Sequence, residues 1–530
     1  MNLSLIENNI KKITIIFFFS YFIIGMSLVK DYGVSSDEYS SRIKGFVTLK
    51  YLGDKIAPDL TKKIKKNKNI PDLNKYEQKI YGVVFEAPAS FLEIIFKISD
   101  KKNQFLLKHY MNFIVFFIAT IFFYRILLMR FKLPGLALIG TCYLILSPRI
   151  FANSFYNNKD LVFLSFFIIA SFYAIKFIQK QTFKNAIFFA IFSALAIDVR
   201  VLGIAIPFTV LSINLLKNLY HKEFKKNLNV NILSIIFTIC AVIIFWPYLW
   251  SAPVKNFLFA FNGMANFEIE TFNLFFEKYI NAKNVKWDFI PLWIFITTPP
   301  LYLVSFLLGL IVFIKNSIRS NEYRDNKFYV DLFFLLTFFG PLIAVIIFNS
   351  TLYNGWRQLY FIYPSMIFIS LLTLNYINTF NNIKFIKIIY LSIIIYLFTI
   401  TIWMTKNHPY QYVYFNNLIN KTELNKKFDL DYWGLSYKQN FEFLLKNENE
   451  KEFNIYNLSH NKLFYPLFSL NEKNRNKFNV VSNLADAKYI FTNFYMDRDL
   501  IDKFDLSNYY ILNEIIVDGY SVNRIYKKKD

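Results

Sequence analysis

Four groups of polar residues stand at the ends of long apolar runs, and their types could hold a phosphate and move a proton. Asp37-Glu38 is an adjacent acidic pair eight or nine residues beyond the apolar run Ile13–Val29. Arg149, Asn153, Asn157, Asn158, Lys159 and Asp160 lead into a second run, Leu161–Ile175. Asp198 and Arg200 separate two short apolar segments, and Tyr353-Asn-Gly-Trp356-Arg357-Gln358 precedes another. A carboxylate can take the proton from an acceptor hydroxyl or amine. Arg and Lys can hold a phosphate as part of the substrate and as the leaving group. Arg357 is the first candidate for that phosphate: it follows Trp356, and Tyr360 and Tyr363 stand three and six residues on. Arg gives planar, two-pronged contacts that Lys cannot copy. Lys159 and Arg200 are reserves, with Arg149 nearby. Ionisable residues at membrane depth are usually functional. A residue at the end of a span can equally sit among headgroups, and a transporter could use the same types as a proton relay.

The elements that must carry these groups are membrane helices. The chain has 530 residues, 55% hydrophobic and 20% aromatic, in long uncharged runs that a soluble domain does not carry. Spans are expected at 12–29, 110–129, 133–147, 160–178, 185–198, 201–216, 230–247, 291–314, 329–348, 358–376 and 386–404, about eleven in all. The pair 185–198 and 201–216 reads as a hairpin with Asp198-Val-Arg200 at a tip sunk in the membrane; one broken span is the alternative. The net charge of +23 collects in short loops: Lys11 and Lys12, Arg130 and Lys132, Lys180 and Lys184, Lys222–Lys226, Lys315 to Arg324, and Lys384 with Lys387. By the positive-inside rule these loops and the N-terminus are cytoplasmic, and the C-terminus is external. The run Lys62–Lys68 lies in a long external loop, which escapes that rule. The charge is not a nucleic-acid signature, since no such motif accompanies it.

Domain organisation follows. Residues 1–404 form the membrane domain, with 30–109 as its first external loop, and 405–530 form a small α/β domain. Phe85–Ile98 and Phe257–Ile280 read as helices lying in the interface. In the tail, Leu435–Lys446 has a helical pattern and Phe453–Leu458 and Val480–Phe491 contain strand-like stretches. Asp518-Gly519 between Tyr510–Val517 and Tyr520–Tyr526 is a hairpin signal. Cys142 and Cys240 fall in apolar spans and imply no disulfide framework, and the four histidines show no metal spacing. The first apolar run has no small-residue cleavage site after it and reads as a retained helix.

The chain resembles a GT-C glycosyltransferase of the group that contains protein O-mannosyltransferases and the aminoarabinose transferase of lipid A. The resemblance rests on Ser35-Ser-Asp37-Glu38-Tyr39, the amphipathic first loop, the stretch from Ser147-Pro-Arg149 to Asp160, and Trp246-Pro-Tyr-Leu-Trp250. It continues in Thr297-Thr-Pro-Pro300, Tyr353-Asn-Gly-Trp-Arg357 to Tyr363-Pro364, His408-Pro-Tyr-Gln-Tyr-Val-Tyr-Phe-Asn416 and Asp431-Tyr-Trp-Gly434. It implies a polyprenyl-phosphate sugar donor and an inverting transfer to a lipid, glycan or protein acceptor. The site it implies is on the outer face of a bacterial inner membrane. Asp37 would match the family's acid that serves catalysis or acceptor binding, with Glu38 beside it, and Asp160 a second acid of the next external loop. Arg357, Lys159, Arg200 and Arg149 are then the donor-phosphate candidates, and Glu86, Asn158, Trp356 and Tyr363 the substrate-lining ones. Glu86-Ala-Pro88 stands where characterised members often have His-Pro-Pro, which bears on the acceptor. Metal dependence varies in the superfamily, so a divalent cation stays open as a cofactor, although no all-protein cage is visible. A transporter or lipid flippase is the alternative, and a non-catalytic scaffold is a third reading.

Overall fold

The computed structural model describes residues 3–59, 70–265, 270–319, 325–495 and 505–529; Lys62–Lys68 and Arg324 lie outside them. Helix α1 (Leu3–Leu28) leads to the first-loop helices α2 (Ser36–Ile56) and α3 (Glu86–Ile95). Then come α4 (Lys101–Phe131), α5 (Pro134–Ile145), α6 (Pro148–Tyr156), α7 (Asp160–Gln179), α8 (Phe183–Val199), α9 (Ala205–Tyr220), α10 (Phe224–Phe245) and α11 (Pro253–Ala265). Helices α12 (Phe289–Thr297), α13 (Pro300–Arg319), α14 (Asn326–Ile347), α15 (Tyr363–Ile377) and α16 (Ile383–Lys406) complete the bundle.

Among the described residues nine helices are long and apolar enough to cross a membrane, or ten if the bent pair α5 and α6 is one span. The expected eleven is reached only by adding α8, which is 17 residues long. One expected span is interrupted, and another bends where it was expected to end, at sites where proline removes a backbone donor. Helix α6 leaves α5 at 67° at Ser147-Pro148. The span expected at 291–314 is cut at Thr298, whose extended backbone is the conformation a following proline favours.

Side-chain contacts show how the helices alternate in direction. At one end of the bundle, Arg130 Nε donates to Asp331 Oδ1 at 2.6 Å, and Lys217 Nζ donates to Asn326 Oδ1 at 2.8 Å. Gln181, just before α8, and Asn218, near the end of α9, exchange two amide hydrogen bonds of 3.0 Å. Helices α8 and α9 are therefore antiparallel, and Arg200 sits at the tip of their hairpin. Arg130, Lys180 and Lys217 lie at the Gln181 end. Two helices are enclosed by the others: 83% of the apolar window is buried both in α7 and in the helical stretch from Arg357 through α15. Phe163 and Phe167 of α7 pack on Phe361 with ring centres 4.7 and 5.0 Å apart. Asp160 opens one of these central helices and Arg357 opens the 3-10 turn that leads into the other, so the fold brings both to one end of its core.

Helix α3 buries Glu86, Ser90 and Glu93 and exposes Phe91, Ile94 and Ile95, an inverted pattern that suits a helix with its outer face in lipid. Helix α11 likewise exposes Val254, Leu258 and Phe259. The helix expected through Ile280 ends earlier, however. A hairpin of β1 (Phe272–Phe275) and β2 (Lys278–Asn281) follows instead, turning at Phe276 and Glu277, both at positive φ.

The tail is a five-stranded sheet with one main helix, α17 (Tyr437–Asn447). Strands β3 (Phe453–Asn457), β4 (Phe478–Val480), β5 (Tyr489–Thr492), β6 (Tyr509–Val517) and β7 (Tyr520–Lys528) run in the order β4-β3-β5-β7-β6. The β6–β7 turn uses Asp518 (φ 50) and Gly519 (φ 87), the left-handed pair that a two-residue hairpin needs. The sheet docks on the bundle: Tyr520 donates to the Val413 carbonyl at 2.8 Å, and Trp403 Nε1 to Asp518 at 2.8 Å.

Candidate active site

Helix α2 begins with a capping box. Glu38 Oε1 accepts the Ser35 N–H at 2.7 Å, and its Oε2 lies 2.9 Å from His109 Nε2, fully buried. Both of its oxygens are committed to fixing the start of α2. Asp37 projects about 100° round the helix from it. It is half-buried, and the hydrogen bond it accepts comes from Trp433 Nε1 at 3.3 Å. Among the described residues, no salt bridge to Asp37 is formed.

Asp160 is the opposite case. Asn157 Oδ1 caps α7 by accepting the Asp160 N–H at 2.8 Å, and Asn157 Nδ2 donates to Asp160 Oδ2 at 3.2 Å. Arg200 Nη2 donates to one carboxylate oxygen, and Arg357 Nη1 to the other at 2.8 Å. Arg357 is only 3% exposed, yet among the described residues its Nε and Nη2 have no acceptor, and neither does Nε of Arg200. Aromatic rings enclose Arg357: its guanidinium carbon lies 4.9 Å from the ring centres of Tyr353 and Trp433 and 5.6 Å from that of Tyr432. Buried polar hydrogens without partners are uncommon and costly. A phosphate oxygen is the kind of acceptor that would satisfy them.

Tyr81 lies beside the same charged groups. The Lys159 ammonium lies 5.2 Å from its ring centre and the Lys44 ammonium 5.6 Å. Its hydroxyl is pushed up by burial and feels Arg200, Asp37, Arg357 and Asp160 together. Lys44 stands two turns after Asp37 on α2, and burial pushes its ammonium down to about 8. Gly82, which follows Tyr81, lies so close to the α8 tip that an added Cβ would sit 1.9 Å from the Asp198 carbonyl. Asp198 Oδ1 accepts the N–H groups of Val83 and Val84, both at 2.8 Å, and so latches the first loop onto the hairpin tip.

The remaining expected residues have other partners. Glu86 is paired with Lys108 at 2.8 Å and accepts from Asn158 at 2.6 Å, so Glu86 and Asn158 form a buried tie between α3, α4 and the turn before α7. Arg149 Nε donates to the Tyr414 carbonyl at 2.9 Å and lies against Phe415 and Trp293, which anchors the chain leaving α16. Trp356 Nε1 donates to Thr297 at 2.9 Å, and the Tyr363 hydroxyl bonds Ser147 at 2.6 Å. Both are buried in the hydrophobic core. One cluster gathers Asp37, Lys159, Asp160, Arg200 and Arg357 around Tyr81.

An apolar cavity of about 470 Å³ opens beside the Arg200 tip, between α8, α9, α10 and α11. Ile197 and Ile204, on either side of Arg200 in the chain, line it, as do Pro207 and Val242. Phe208, Ile239 and Val254 also line it and are each more than half exposed, on the surface that faces lipid.

Two solved structures are similar to the chain along almost its whole length. One is ArnT from Cupriavidus metallidurans in the apo state, at 10% identity, covering 97% of this chain and 98% of that one, with a TM-score of 0.48. The other is ArnT from Cupriavidus metallidurans bound to undecaprenyl phosphate, at 10% identity, 96% and 97% coverage and a TM-score of 0.48. No protein-family model matches the chain, and no curated protein does. A likeness this distant assigns no activity.

The site contains residues that sequence reasoning did not single out. Lys44 was detectable, because Asp37, Ser41, Lys44 and Thr48 follow helical spacing and share a face. Tyr432 and Trp433 fall in the Asp431-Tyr-Trp-Gly434 stretch that helps carry the resemblance, but no local pattern ties them to Asp37, some four hundred residues away. Among the described residues, no three His, Cys, Asp or Glu side chains converge as a metal cage requires. Both oxygens of Asp160 already carry guanidinium contacts. This donor set suits an anion rather than a cation.

Proposed function

We propose that the chain is an integral-membrane glycosyltransferase that moves a sugar from a polyprenyl-phosphate donor to a lipid, glycan or protein acceptor. The carrying observation is a pairing of opposites in one cluster. Arg200 and Arg357 hold Asp160 and keep unused buried N–H groups, while Asp37 stands near them without a cation of its own. The donor phosphate takes those N–H groups, and its isoprenoid tail lies in the apolar cavity beside Arg200. Asp37 accepts the proton of the acceptor hydroxyl or amine as that atom attacks the sugar carbon bonded to the phosphate. The carbon–oxygen bond to phosphate breaks on the opposite face, the configuration inverts, and polyprenyl phosphate leaves with the electron pair. The two arginines stabilise the charge that grows on the leaving phosphate.

The test is Arg357→Lys. An arginine that merely anchored a helix among headgroups would tolerate lysine, since both side chains reach the interface. A planar ligand shared between Asp160 and a phosphate would not. Donor affinity is expected to fall by roughly 1–3 kcal/mol, the worth of charge-assisted hydrogen bonds. The measurement is binding of a polyprenyl-phosphate sugar to the purified variant in nanodiscs. Unchanged affinity would move the phosphate to Lys159 and Arg200.

The same reading puts the basic loops in the cytoplasm and the charged cluster and tail outside. In a chain without its native cysteines, exposed Lys222→Cys and Lys473→Cys are expected to react with an impermeant thiol reagent from opposite sides of the membrane. Labelling of both from one side would overturn this orientation.

A further inference from the structure

Resting on that reading, we infer that the C-terminal domain completes the active site through Trp433, a positioning residue that holds the Asp37 carboxylate by its indole N–H. Asp37 and Trp433 come from the two ends of the chain, and the 3.3 Å contact from Trp433 Nε1 to Asp37 Oδ2 joins them. Trp433 is 6% exposed, and its ring also faces the Arg357 guanidinium carbon at 4.9 Å. One side chain thus touches both the expected base and the expected phosphate ligand.

The tail is built to hold this ring still. Asp431 Oδ1 accepts the Leu435 N–H at 2.9 Å and Oδ2 the Ser436 N–H at 3.0 Å, which folds residues 431–436 into a tight turn. Gly434 turns the chain at φ +71, where an added Cβ would meet the Tyr437 ring at 2.9 Å. From the sheet side, Asn493 Nδ2 donates to the Asp431 carbonyl at 2.7 Å, and Asn523 Nδ2 donates to the Ser436 hydroxyl at 2.7 Å. On the bundle side Tyr156 meets the Trp433 ring edge-on at 5.6 Å. A carboxylate on a helix surface can rotate. With Trp433 donating to one oxygen, the other is left in a fixed direction for the acceptor's proton, which is how positioning lowers a barrier.

The substitution that isolates this role is Trp433→Phe, which keeps a ring over Arg357 and removes the N–H. In full-length protein in nanodiscs, kcat is expected to fall on the order of tenfold, the worth of one hydrogen bond to a charged group, with donor affinity unchanged. Trp433→Leu removes the ring as well and is expected to weaken donor binding too. Wild-type kcat in Trp433→Phe, or an equal loss of donor binding in both variants, would overturn the inference. A second readout needs no turnover. With 5-fluorotryptophan incorporated, the 19F resonance missing in Trp433→Phe belongs to Trp433. Its chemical shift is expected to move in Asp37→Asn, where the charge beside the indole N–H is lost. A Trp433 resonance left in place by Asp37→Asn overturns the contact even if no sugar donor is turned over. Absence of transfer from every polyprenyl-phosphate sugar, with that shift change observed, would sink the glycosyltransferase reading alone.

Discussion

Replacing Asp37 by asparagine is expected to lower kcat a hundredfold or more while donor binding persists. Asparagine keeps the shape of the side chain, and its carbonyl can still accept the Trp433 N–H. It cannot take up a proton, and general-base catalysis typically contributes 10²–10⁴-fold. The geometry narrows the choice of residue. Of the expected acids, Glu38 is held by Ser35 and His109, Glu86 by Lys108 and Asn158, and Asp160 by two arginines. Only Asp37 among these four has no ionic partner among the described residues. Single-turnover transfer from a defined lipid donor separates chemistry from binding. A variant as fast as wild type would remove Asp37 from the base role. The other three acids would then have to break an observed contact to take its place.

Removing Asp160 is expected to cost the largest share of stability. Asp160→Ala leaves the Arg200 and Arg357 guanidinium groups side by side with no carboxylate between them. Breaking a buried ion pair from one side typically costs 3–5 kcal/mol, because the remaining charge stays buried and unpaired. The melting temperature of the purified variant is expected to drop well below that of wild type. Because a phosphate is the anion these arginines can take instead, added polyprenyl phosphate is expected to raise that temperature more in Asp160→Ala than in wild type. Equal melting temperatures without ligand would mean that the pair contributes nothing. A ligand response no larger than in wild type would mean that the lipid phosphate does not bind between the two arginines.

Much of the architecture was legible because membrane helices are written in local composition. An apolar run must be long enough to cross and must satisfy its own backbone hydrogen bonds, so the sequence marks each one. The Asp518-Gly519 turn was legible for a similar reason, since few residues tolerate two consecutive left-handed positions. Errors fell where the backbone breaks. The Thr298 break divided a stretch that hydropathy reads as continuous, because hydropathy does not register a missing donor. The hairpin that starts at Phe272 was hidden for a different reason: its strands are only four residues long, and short, largely apolar runs suit strand and helix alike.

For the site, the sequence by itself determined which residue types stand at the ends of the helices, and on charge patterning it grouped them at one end. It could not rank them, because a carboxylate's role depends on what it touches. Glu38 and Asp37 are neighbours in the chain, yet one caps a helix and the other meets an indole. Arg149 and Arg357 look alike as residues beside short loops, yet one holds a backbone carbonyl and the other lies buried with two nitrogens unused. Tertiary structure alone decided these assignments. It did so through contacts between residues far apart in the chain, such as Asp37 with Trp433 and Asp160 with Arg357, whose partners no local pattern can specify.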